Sequence, residues 1–135
     1  YLSYGGLVAG TRNTVSGPLS SVSGGSGNEA SGDFPSISGG GSNEASGQSS
    51  SVSGGALNEA SGLATSVNGG QSNDAISPFT SVSRGSSNVA SSQYSSVSGG
   101  RNNEASGDYS SVSGGLNRSA TGPNDWVAGN LFENN

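Results

Sequence analysis

The chain has 135 residues, 25 of them Gly, a net charge of -5 and no Cys, His or Met. Disulfide staples and zinc or thiol chemistry are excluded. So is the basic patch that nucleic acid or an anionic membrane requires, because the only cations are Arg12, Arg84, Arg101 and Arg118.

No apolar run reaches the roughly 18 residues of a membrane-spanning helix. The chain starts at Tyr1 with no signal-like segment, as expected of a processed or partial chain. Residues 1–5, with Tyr4, read as an N-terminal cap or junction.

From residue 6 to 125 a 15-residue unit recurs. Its clearest copy is Ser96-Val97-Ser98-Gly99-Gly100-Arg101-Asn102-Asn103-Glu104-Ala105-Ser106-Gly107-Asp108-Tyr109-Ser110. A fixed period of this kind marks a repeat architecture. Stepping by the period gives one aliphatic column, Leu7, Val22, Ile37, Val52, Val67, Val82, Val97, Val112 and Val127. A second column reads Val15, Ala30, Ala45, Ala60, Ala75, Ala90, Ala105 and Ala120. A flexible Gly/Ser linker keeps no register, so two unbroken apolar columns argue for a folded core.

Within each unit, Ser-Val-Ser and Glu-Ala-Ser alternate with period 2 and read as short strands. Gly10, Gly25, Gly40, Gly55, Gly70, Gly85, Gly100 and Gly115 mark a left-handed turn. An Asn column, Asn13 to Asn103, marks a second turn, and Gly17 and its equivalents a third corner. No helical period is sustained. The expected fold is all-β: a parallel β-solenoid or β-roll of about eight to nine 15-residue coils, spaced about 4.8 Å apart. Residues 126–135, with Trp126, Leu131 and Phe132, read as a C-terminal cap.

One Val and one Ala per coil make a thin core. The column Leu19, Phe34, Ser49, Ala64, Phe79, Tyr94, Tyr109 and Asn124 is mostly apolar or aromatic, as if partly covered. Lateral association would supply the missing burial, so a homo-oligomer is expected, a trimer above other states.

The stretch Asn103-Glu104-Ala105-Ser106-Gly107-Asp108-Tyr109-Ser110-Ser111-Val112-Ser113-Gly114-Gly115 resembles the N-x-A-S-G-x-Y-S-x-V-x-G-G repeats of YadA-like heads, found in trimeric autotransporter adhesins and phage tail fibres. The resemblance covers essentially residues 6–130. It implies a left-handed parallel β-roll, three of which pack around one axis in a rigid secreted fibre or head. It carries no catalytic residues and specifies no ligand.

Two outward columns invite chemistry. Glu29, Glu44, Glu59, Asp74 and Glu104 stack carboxylates that calcium could bridge. A solvated acidic edge that blocks sideways sheet growth explains them more simply. Ser21, Ser36, Ser51, Ser66, Ser81, Ser96 and Ser111 form a hydroxyl array of the kind that orders water, although ice-binding faces generally use Thr. Asn117-Arg118-Ser119 is a lone glycosylation sequon.

No enzyme is expected: without His, Cys or Lys the acid–base groups left are carboxylates and Tyr, and repeated coils place the carboxylates in like environments. The expectation is therefore a non-enzymatic structural or adhesive repeat protein of a cell-surface or virion appendage, extracellular, with no cofactor beyond a weak calcium candidate. Its partners would be its own copies and a host-surface or glycan ligand, with no nucleic acid and no membrane insertion. The alternative is an ice- or glycan-binding solenoid using the Ser, Asn and Thr columns.

Overall fold

The computed structural model describes residues 6–129. The cap residues Tyr4, Leu131 and Phe132, and the segments 1–5 and 130–135, lie outside the described residues.

The chain is a parallel β-solenoid of about eight turns, with no helix among the described residues. Each strand is two residues long. A nine-stranded sheet runs from Leu7–Val8 to Trp126–Val127, and an eight-stranded sheet from Thr14–Val15 to Ser119–Ala120. Neighbours within a sheet are successive coils in register, as in Ile37 opposite Val52 and Ala45 opposite Ala60. Such short strands suffice because all but the terminal ones are bonded on both sides by near-identical neighbours.

The first coil departs from the period. Leu7 pairs with Ser21 and Val8 with Val22, while Thr14 pairs with Glu29 at the full spacing. The missing residue lies at the corner, where Ala9-Gly10 stands in place of Ser23-Gly24-Gly25. The expectation that Leu7 belongs to the core column is thereby corrected. Leu7 points outward with the Ser row, 60% exposed, and Val8 takes the inward place.

The interior has four columns rather than two. Val22 through Val112 and Ala30 through Ala120 are fully buried, with Val15 and Val127 packed against them at the ends. Beside them lie a buried Asn column, Asn28 to Asn103, and a column of Ser20, Ser50, Thr65, Thr80, Ser95 and Ser110. Buried polar groups of this kind are normally paired, and among the described residues only the Ser50 and Ser110 hydroxyls of these columns have no partner.

The Asn column meets that demand completely. Asn58 Nδ2 donates to Gly54 O at 2.9 Å and Gly70 O at 3.1 Å, and Asn58 Oδ1 accepts from Asn73 N at 3.0 Å. The same pattern recurs in each coil from Asn28 to Asn103. In the hydroxyl column, Ser20, Thr65 and Thr80 donate to the carbonyl three residues before.

The two Gly columns have different causes. Gly55 has φ 85 and its carbonyl-side neighbour coil is close: a Cβ there would sit 2.1 Å from Gly70 O. Gly47 has no left-handed φ; its Cβ would lie 1.9 Å from Gly62 O, so close approach of coils alone fixes the residue. At Ser77 and Ser92 the coil admits a side chain, and each hydroxyl donates to a neighbouring coil, to Ser91 O and to the Asp108 carboxylate.

Non-Gly residues also take left-handed backbone, at Leu57 (φ 58), Phe79 (φ 61), Tyr94 (φ 59) and their equivalents. The reason lies in the ladder. Most amides donate to the coil ahead, whereas these turn back and donate to the coil behind, as Leu57 N does to Gly41 O (3.0 Å) and Tyr94 N to Pro78 O (3.2 Å). The reversed bond offsets a left-handed cost of about 1–2 kcal/mol.

It also creates a third ladder. Thr11, Ser26, Gly41, Ala56, Gln71, Ser86, Arg101 and Leu116 pair as isolated parallel bridges where the sequence suggests only a turn. Leu57 is 55% exposed and Gly27 already holds its column, so Leu57→Gly should stabilise the protein by up to about 1 kcal/mol in denaturant titration.

Candidate functional site

Because the four inward columns close the interior, whatever the molecule contacts meets its outer rows. The outer face of the nine-stranded sheet is the hydroxyl array. Ser21 to Ser111 form one row and Ser23, Ser38, Ser53, Asn68, Ser83, Ser98 and Ser113 a second, with the Val column pointing inward between them. Ser96 Oγ donates to Ser111 Oγ at 3.2 Å.

Trp126 ends the first row. It is a residue of the terminal strand opposite Ser111, 70% exposed, with Nε1 donating to Ser113 Oγ at 2.8 Å. The two Ser columns pair regularly enough that the sheet accepts one more strand, whatever side chain it carries outward.

The outer face of the eight-stranded sheet carries the carboxylates. Glu29, Glu44, Glu59 and Asp74 sit directly opposite one another in successive coils; Val89 breaks the row before Glu104. Like charges opposite one another on a sheet repel. The arrangement is a row with one carboxylate per coil, and no three metal-capable side chains converge among the described residues.

Asp74 feels the row most. Partial burial, and then the neighbouring Glu59 charge, raise its pKa above the ordinary 3.8. A carboxyl raised in the folded state contributes stability that is whole below its unfolded value and is lost as pH rises through the folded one. Asp74→Asn should therefore stabilise the protein at neutral pH and leave acid stability unchanged; thermal melts at several pH values test this.

The third row lies at the corner that follows the carboxylate strand. Phe79, Tyr94 and Tyr109 stack face to face, with centroids 4.9 Å apart in both pairs and planes within 7° and 9° of parallel. Left-handed backbone in each coil swings these rings out of the coil, so they remain 43–60% exposed. Leu19 and Phe34 continue the column, at 50% and 51%.

The chain matches no family model and no curated protein.

Chemically, then, the solenoid presents a neutral hydroxyl face, an acidic face and an aromatic edge. The sequence places each row on the correct face. It misses Val8 in the first coil, the inward Asn and Ser/Thr columns, the third ladder of bridges, and the left-handed backbone beneath the aromatic stack.

Proposed function

We propose that this is a non-enzymatic structural or adhesive repeat protein, a rigid segment of the fibre or head of an extracellular cell-surface or virion appendage. The observation that carries the reading is the continuous parallel ladder of coil on coil from Leu7–Val8 to Trp126–Val127, closed over fully buried Val and Ala columns. Such a stack resists bending because any bend must stretch ladder bonds on one side. Its outward residues are free to vary coil by coil, as the bridge column does with Gln71, Arg101 and Leu116.

The resemblance to YadA-like head repeats supports the same reading and adds a trimer of parallel rolls. The exposed aromatic edge, Phe79, Tyr94 and Tyr109 with Leu19 and Phe34, is the surface on which such copies would meet. Light scattering should give a mass three times that of one chain at micromolar concentration, and electron microscopy should show rods. A stable monomer under those conditions would overturn the trimer while leaving the rod in place.

A second reading draws on the hydroxyl face: its two rows, Ser throughout except Asn68 and the terminal Trp126, are regular and uncharged, which suits an ice- or glycan-binding surface. Thermal hysteresis and glycan-array binding test it. Loss of either signal in a variant with Ser66 and Ser81 replaced by Lys would place the ligand on this face.

A further inference from the structure

We propose that Trp126 anchors a glycan-binding site at the C-terminal end of the hydroxyl face, where a neutral, β-linked pyranose chain stacks on its indole. The assignment rests on the glycan alternative for that face and adds where the sugar sits. Trp126 is the single Trp of the chain, and it replaces Ser in the outward row, directly opposite Ser111. Its Nε1 donates to Ser113 Oγ at 2.8 Å, a hydroxyl of the second row one coil back. The indole is thereby drawn diagonally across the face instead of standing off it, while most of the residue stays exposed. The result is a flat aromatic platform with its outer side bare.

What surrounds the platform selects the ligand. The two rows from Ser21 to Ser113 hold only Ser and Asn68, and the carboxylate row lies on the other sheet. Asp125, the residue before Trp126, turns the other way, its Oδ2 accepting from Gly122 N at 2.7 Å. In a chain of net charge -5 this face is a neutral strip, which complements a neutral partner and gives an anionic one no counter-charge. A wholly apolar partner fits no better, since it would strip water from two rows of hydroxyls and return no hydrogen bond.

A pyranose with equatorial hydroxyls meets both demands. Its axial C–H groups make a flat apolar face for the indole, and the hydroxyls at its rim exchange hydrogen bonds with Ser. Ser111 Oγ accepts from Ser96 Oγ at 3.2 Å and keeps its own O–H to donate, and exposed Ser98 lies beside it. The rungs repeat at about 4.8 Å, close to the length of one sugar unit in an extended β-linked chain, so further units pass over successive rungs. Gly114 and Gly129 form the corner beside the platform and raise no side chain against entry. The platform is around the corner from the aromatic edge, which in this coil has already given way to Asn124, so copies meeting through Tyr94 and Tyr109 make no aromatic contact here.

Because no other Trp is present, the fluorescence of the full chain reports this site alone. Titration with cellopentaose or chitopentaose should move the emission saturably to shorter wavelength, and heparin should leave it unchanged. Trp126→Ser restores the residue of the row, so the fold is kept; calorimetry should show binding weakened by about tenfold or more. Ser113→Ala releases the indole and should weaken binding with no change in melting temperature. Binding that leaves the emission unmoved and survives Trp126→Ser, but is lost when Ser66 and Ser81 are replaced by Lys, would overturn the anchor and keep the glycan reading of the face. Thermal hysteresis with neither sugar bound would assign the face to ice. Binding of heparin alone, or of none of the three probes, would overturn the site and the glycan reading together.

Discussion

Replacing Asn58 by Leu lowers the stability of the protein by about 2–6 kcal/mol, although the two side chains differ little in volume. The loss comes from two groups left without partners, the carbonyl of Gly54 and the amide N–H of Asn73, whereas Gly70 O keeps its bond from Ala56 N at 2.9 Å. Each costs about 1–3 kcal/mol once its partner is gone, and the apolar gain from Leu cannot reach them.

Denaturant unfolding followed by circular dichroism measures the effect. A loss below about 1 kcal/mol would mean that water or a backbone shift re-satisfies the ladder. Arg118 shows how the ladder ends naturally. Its amide still donates to Asn103 Oδ1, but its side chain has no acceptor to offer onward, and its Nε is buried without a partner among the described residues. Only at the last coils, where few neighbours depend on it, does the column tolerate that residue.

The same ladder explains what could be read from the residues beforehand. Period and facing follow from side-chain type alone: Val and Ala must go inward and Glu outward, so the two sheets and their acidic and hydroxyl faces are legible in the sequence. Asn is ambiguous, because it suits an exposed turn as well as a fully bonded interior, and only the carbonyl positions of Gly54 and Gly70 distinguish the two. Leu7 and Val8 are ambiguous for a different reason. Both are aliphatic, and a single missing Gly at the first corner decides which of them faces in.

The left-handed backbone under Phe79 and Tyr94 was hidden because bulky residues disfavour it intrinsically. It follows from the direction of inter-coil hydrogen bonds, a property of the assembled stack that no single coil carries.

Facing also gives the sharpest remaining test, a pair of neighbouring substitutions. Val97→Asp places an unpaired carboxylate among Val82, Val112 and the Ala column, where nothing can donate to it. An uncompensated buried charge costs about 3–5 kcal/mol, and lost apolar contact adds to that, so the coil should fail to close or the protein should fail to fold.

Ser96→Asp, one residue earlier, puts the same charge on the outer face between Ser81 and Ser111, with no carboxylate opposite it in either adjacent strand. Its effect should stay within about 0.5 kcal/mol. Thermal melts of the two variants side by side decide the matter. Because strand side chains alternate faces, a one-residue slip of register would exchange the two results. Equal losses would require both faces of this sheet to be buried, which is the condition a tight lateral assembly through the hydroxyl face would impose. The pair therefore reports on the register of the strand and on which face of the solenoid a partner covers.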